Sequence, residues 1–127
     1  MVNGCIALCK SIQQHTTLRE LYLSNNFIGP DGARNVAKVL ENTKYITEIW
    51  LSSNGIFPEG AAALGKALRE KRHLEVLALK KNDITLDGLT ELENVLTNSK
   101  TIRELDLSGN QIGDEGVEIV TSALKNK

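Results

Sequence analysis

The chain has 127 residues, 41% of them hydrophobic and 24% charged, with a formal net charge of −1. This length buries roughly two thirds of the unfolded surface in one core, and the balanced charge speaks against nucleic acid, whose binders carry a basic excess. No apolar run nears the ~20 residues of a membrane helix, residues 1–10 lack the basic start of a secretory signal and no Asn-X-Ser/Thr sequon occurs, so no membrane partner and a cytoplasmic location are expected.

Residues 1–17 read as a helical piece, with Leu8 and Ile12 four apart on one face. Cys5 and Cys9 share that spacing, where a disulfide would be strained. They are expected to be reduced thiols in a core. The only histidines, His15 and His73, lie far apart in sequence, and neither a metal site nor any other cofactor is expected.

From Leu18 onward the chain repeats itself. Leu18-Arg-Glu-Leu-Tyr-Leu-Ser-Asn-Asn-Phe-Ile28 is matched by segments starting at Ile46, Leu74 and Ile102, always 28 residues apart. Leu21, Ile49, Leu77 and Leu105, and two residues later Leu23, Leu51, Leu79 and Leu107, alternate as the buried side of a short strand does. Asn26, Asn54, Asn82 and Asn110 follow three residues on, where a side-chain amide can bond the backbone of a turn. Ile28, Ile56, Ile84 and Ile112 then return to the core.

The second half of each unit has helical spacing. Val36, Leu64, Leu92 and Val120 are followed four residues later by Leu40, Leu68, Leu96 and Leu124. Pro30 and Pro58 suit the first helical residue. Asp114 and Glu115 suit a helix start through the dipole. Gly32, Gly60, Gly88 and Gly116 are expected where the helix passes close to the sheet, and Ala37, Gly65, Ala67 and Ala123 permit close stacking on the next unit. Gly4, Cys5, Leu8 and Ile12 fall on the same columns, so residues 1–17 form the helical half of a further repeat. The expected organisation is a single domain over 1–127, with a half repeat at 1–17 and repeats at 18–45, 46–73, 74–101 and 102–127.

These columns resemble the ribonuclease-inhibitor-like class of leucine-rich repeat proteins. The resemblance covers essentially the whole chain. It implies an α/β fold: a right-handed leucine-rich-repeat solenoid, a horseshoe segment with a parallel concave sheet and outer helices. It also implies protein binding rather than catalysis, since ribonuclease inhibitor, NOD-like receptor sensor arms and tropomodulins share the class. The equal repeat lengths and the Asn column without Cys depart from the inhibitor itself, which argues against a ribonuclease target. A fold narrows the partner far less than the architecture.

If the leucines point inward, the residues between them form the concave surface: Glu20, Tyr22, Ser24; Glu48, Trp50, Ser52; Val76, Ala78, Lys80; Glu104, Asp106, Ser108. Neighbouring parallel strands lie about 4.8 Å apart, which sets Tyr22 beside Trp50 in water. Such aromatics are enriched at interface hot spots, although two rings can also simply stack and stabilise the sheet. Glu20 and Glu48 adjoin on one side, while Lys80 and Lys81 lie beside Asp106 on the other, an arrangement that suits orientation of a charged partner. The expected partner-binding residues are Glu20, Tyr22, Glu48, Trp50, Lys80 and Asp106.

Three other motifs are weaker. Gly60–Lys66 matches the start of a phosphate-binding loop, but Ala67 replaces the Ser/Thr and the segment falls inside a repeat helix. Glu20 and Glu48 have a spacing known from retaining glycosidases, yet an open sheet gives no pocket to separate their pKa values. Lys66, Arg69, Lys71 and Arg72 sit at a helix C-terminus, where cations complement the dipole. Alternatives to concave-face binding are a segment or assembly unit of a longer repeat protein, such as a NOD-like-receptor-type sensor arm, with end-to-end self-association, and, by analogy with Ran GTPase-activating proteins, stimulation of a small GTPase through a loop arginine.

Overall fold

The computed structural model describes residues 17–125. Gly4, Cys5, Leu8, Cys9, Ile12 and His15, with the half repeat expected there, lie outside the described residues. Four units follow one another: β1 (Glu20–Tyr22) and α1 (Gly29–Glu41), β2 (Glu48–Trp50) and α2 (Phe57–Leu68), β3 (Val76–Ala78) and α3 (Leu89–Asn98), β4 (Glu104–Asp106) and α4 (Gly113–Leu124). The strands form one parallel sheet in the order β1-β2-β3-β4. Its register follows the 28-residue period: Glu20 faces Glu48, Glu48 faces Val76, and Val76 faces Glu104.

The core lies between this sheet and the helices. Ile49, Leu51 and Ile56 share it with Val36, Leu40, Leu64 and Leu68, all at most 1% exposed. The aliphatic columns therefore bury as expected in the second and third repeats, while Leu18 and Leu23 of the first are only half-buried. Leu77 and Leu79 are 1% and 0% exposed, whereas Leu105, Leu107 and Ile112 are only half-buried. With Val117, Val120 and Leu124 they line an apolar hollow of about 410 Å³ on the end of the stack.

The Asn column ties each unit to the next. The backbone N–H groups of Asn26, Asn54 and Asn82 donate to Oδ1 of Asn54, Asn82 and Asn110, each at 2.8 Å. Asn54 Nδ2 in turn donates to the carbonyls of Leu23 and Leu51, both at 2.9 Å. Main-chain bonds run in both senses: Leu23, Leu51 and Leu79 N–H donate to the carbonyls of Trp50, Ala78 and Asp106 in the next unit, and Glu75 and Arg103 N–H donate back to the carbonyls of Thr47 and Glu75. A buried amide thus satisfies polar backbone that the turn removes from water.

Three local expectations need correction. Pro30 and Pro58 occupy the second helical residue, because Gly29 and Phe57 already belong to the helices; an N–H is dispensable there too. The third unit starts with a 3₁₀ turn, Leu86–Gly88, so α3 begins only at Leu89. The close approach at the helix-start glycines is made to neighbouring turns and helices, not to the sheet. A methyl at Gly60 would lie 2.5 Å from Ile56 Cγ2 and 2.8 Å from Ala33 Cβ, and one at Gly88 would lie 2.9 Å from Pro58 Cα. Gly65 does serve stacking on the next unit: a methyl there would lie 2.6 Å from Glu91 Cβ and 2.8 Å from its carbonyl carbon.

Candidate functional site

Side chains alternate along a strand, so Leu21 turning inward turns Glu20 and Tyr22 outward. The parallel register then sets Tyr22 against Trp50. Their rings stack with centroids 6.0 Å apart and planes 10° from parallel. Tyr22 is 59% exposed, whereas Trp50 is half-buried and does not stand free in water.

The stack is fastened by carboxylates. Tyr22 Oη lies 2.8 Å from Glu20 Oε1 and 3.0 Å from Glu48 Oε1. A phenol has one proton, so it donates to one carboxylate at a time. Trp50 Nε1 donates to the same Glu48 oxygen at 2.9 Å. Hydrogen bonding to Glu20, then partial desolvation and the bond to Glu48, pushes the Tyr22 phenol up to about 12. Ionising it would set a third negative charge beside two others. The geometry fixes both ring orientation and carboxylate position.

The other half of the sheet differs from expectation. Val76 and Ala78 are 2% and 3% exposed, so they contribute no free surface. They are the shortest side chains of their rows, and the register flanks them with Glu48 and Glu104 and with Trp50 and Asp106. Taller neighbours about 5 Å away on both sides close over them. Asp106 accepts bonds from Ser108 Oγ at 2.6 Å and Ser108 N at 3.0 Å. Those bonds, and more weakly the charge of Lys80, hold its carboxyl below the usual range. Lys80 is exposed. The six expected site residues therefore fall in two groups along the sheet: Glu20, Tyr22, Glu48 and Trp50 joined by bonds on β1 and β2, then Lys80 just after β3 and Asp106 on β4.

The motifs set aside take ordinary places. Gly60–Lys66 is helical within α2. Arg69 pairs with Glu91, and burial lowers the pKa of Lys71. These two residues, with Arg72 and Lys100, border a groove of about 640 Å³ over Leu68 and Val95. Among the described residues, no three His, Cys, Asp or Glu side chains group as metal ligands.

Two aromatic features escaped the sequence reading. Arg19 Cζ lies 5.7 Å from the ring centroid of Tyr45, and His73 packs on the same ring at 5.7 Å and 36°. Phe27 and Phe57 are 78% and 45% exposed. Both have left-handed backbones, with φ of 51° and 61°. A residue with a side chain is strained there by about 1–2 kcal/mol relative to glycine. The signal was present in the columns: Gly55 stands where Phe27 does, and Gly29 and Gly113 stand where Phe57 does.

Stacked strand–turn–helix units joined by an asparagine ladder define a repeat protein whose sheet offers an open face. The leucine-rich repeat family model matches residues 14–37, 70–92 and 98–118, more than half of the chain. The chain belongs to the leucine-rich repeat family. No curated protein matches it in sequence. Among solved structures it is similar to the leiomodin-1 actin-binding site 2, with a TM-score of 0.74 and 19% identity over 98% of this chain and 72% of that one. It is also similar to the tropomodulin C-terminal domain of Caenorhabditis elegans, with a TM-score of 0.69 and 19% identity over 98% of this chain and 91% of that one. At this identity the likeness is one of fold.

Proposed function

We propose that the chain is a non-catalytic protein-binding module whose partner seats on the sheet face at Tyr22 and Trp50. The observation that carries this reading is the fastened stack. The repeat columns require no aromatic group at either position, yet two rings stand side by side with their polar edges held by Glu20 and Glu48. Pre-set aromatic anchors lose little side-chain entropy on binding. The carboxylates beside them favour a partner that presents Lys or Arg, with a cation over a ring face. The equal 28-residue units support placement in the ribonuclease-inhibitor-like class. Because the similar leiomodin-1 domain is described as an actin-binding site, actin is the first partner to titrate.

The test compares the wild-type chain with Trp50→Ala as bait, first against actin and then against proteins captured from the native cell. Binding of the captured partner is expected to weaken at least tenfold, as for a hot-spot aromatic, while the chain stays folded with a melting temperature lowered by a few degrees, since Trp50 is half-buried and bonded to Glu48. Full binding by Trp50→Ala removes the sheet face from the proposal.

A second reading, end-to-end association, is favoured by the half-buried Leu105, Leu107 and Ile112 around the hollow on β4 and α4. Sedimentation at rising concentration tests it. A strict monomer at all concentrations discards it.

A further inference from the structure

Phe27 and Phe57 are the only phenylalanines of the chain, and neither enters the core. Phe27 stands on the turn that leaves β1, and Phe57 is the first residue of α2, just after the turn that leaves β2. The two turns are neighbours: Asn25 N–H donates to Ser52 O and Gly29 N–H to Asn54 O, both at 2.9 Å. Gly55, the counterpart of Phe27 on the second turn, would carry a methyl 3.8 Å from Phe57 Cε2. The Phe57 ring therefore covers Gly55, one inter-repeat step from Phe27.

The backbone does not call for phenylalanine at either place. Phe57 N–H donates to Asn82 O at 2.9 Å, as Gly29 N–H does to Asn54 O. Glycine makes that bond at the same left-handed φ, 69° for Gly29 against 61° for Phe57. Position 27 is likewise served by glycine at Gly55, with φ of 60°. Bulky side chains thus occupy strained slots that glycine fills elsewhere in the same chain, yet Phe27 stays 78% exposed and Phe57 45% exposed. A local rule broken for so partial a packing benefit marks a functional surface.

The charges around the two rings indicate what would meet them. Asp31 and Glu59 lie in the first turns of α1 and α2, and Asp83 occupies the Phe27 column on the third turn. Asp31 is paired with Arg34, while Glu59 and Asp83 are exposed and have no ion pair among the described residues. The turns after β1 and β2 hold no cation; Lys80 and Lys81 stand on the third turn, and Arg34 lies within α1. An apolar patch with carboxylates at its border complements an apolar segment bordered by cations.

We propose that Phe27 and Phe57 form a second docking surface, separate from the sheet face, for a partner-protein segment that carries aliphatic side chains beside Lys or Arg. The site does not depend on the Tyr22–Trp50 reading, since no residue is shared.

The probe is a fluorescein-labelled synthetic peptide of alternating Leu and Lys blocks, compared with versions in which Leu is replaced by Ala or Lys by Glu. Anisotropy is measured for the wild-type chain, Phe27→Gly, Phe57→Gly and the double variant, with Glu118→Gln on α4 as a control away from both surfaces. The Leu/Lys peptide is expected to bind wild type and Glu118→Gln alike, and the double variant at least tenfold more weakly. Both altered peptides are expected to lose at least tenfold. Because glycine relieves the left-handed strain, the Phe→Gly variants are expected to melt at the wild-type temperature or above it. Retained binding by the double variant overturns the proposal, as does a melting temperature lowered by several degrees, which would give the rings a structural role. Self-association abolished by the double variant would replace the partner by a second copy, and Phe-dependent binding to phosphatidylcholine vesicles would replace it by a lipid surface; either result overturns the stated occupant.

Discussion

All five aromatic residues, Tyr22, Phe27, Tyr45, Trp50 and Phe57, lie in the first two repeats, and the last two repeats contain none. The frames of the two halves are nonetheless the same. Leu51 and Leu79 are both 0% exposed, Asn54 and Asn82 are 1% and 0% exposed, and both asparagines accept the preceding unit's N–H at 2.8 Å. What differs is the set of positions that the frame leaves undetermined. On the sheet face the first half carries Tyr22 and Trp50 where the second carries Ala78 and Asp106. Architecture is thus written in the shared columns, and the two halves differ in the residues that those columns leave undetermined.

The largest expected effects test the shared frame. Leu51→Ala and Leu79→Ala each remove a fully buried side chain, and each is expected to cost about 3–4 kcal/mol in urea unfolding. Costs that differ by more than about 1 kcal/mol would break the equivalence of the two halves. Next come Asn54→Ala and Asn82→Ala. Each strands a backbone N–H and carbonyls at the turn, for an expected loss of about 2–3 kcal/mol. Asn26→Ala sharpens the point: its side chain accepts no bond from a preceding unit among the described residues and donates only to Leu23 and Ser24 carbonyls, so about 1 kcal/mol is expected.

The smallest effect concerns the decorated half alone. The Tyr22 phenol is raised from 10.0 to about 12 in the folded chain. The folded state therefore holds this proton more tightly than the unfolded state does. The corresponding stabilisation is complete below pH 10 and is lost as pH rises toward 12. Glu20→Gln is expected to shift the ultraviolet titration of Tyr22 downward, toward 10. An unchanged titration would show that Glu20 does not govern the phenol.

The frame was legible because its residues answer to position alone. Aliphatic columns with periods of two and four specify a strand and a helix, and an Asn at a fixed place specifies a turn whose backbone needs an internal partner. The Tyr22–Trp50 contact was legible for the same reason, since register follows from the period. The hydrogen bonds that fasten it were not, because Glu20 could face solvent as readily as Tyr22 Oη. The burial of Val76 and Ala78 depends on the height of neighbours on adjacent strands, which a single repeat does not reveal. The exposure of Phe27 and Phe57 was not legible because a left-handed φ leaves no trace in hydrophobic spacing; it shows only against Gly29, Gly55 and Gly113 at the equivalent positions.

Each turn of the asparagine ladder is closed by an oxygen supplied by the unit that follows it, as Asn54 closes the turn of Asn26. Every such bond belongs to both units that share it, so losing one unit opens the turn before it and strands an acceptor in the unit after it. The ladder thereby couples neighbours, and the N–H groups of Asn26, Asn54 and Asn82 are expected to be protected from hydrogen exchange together.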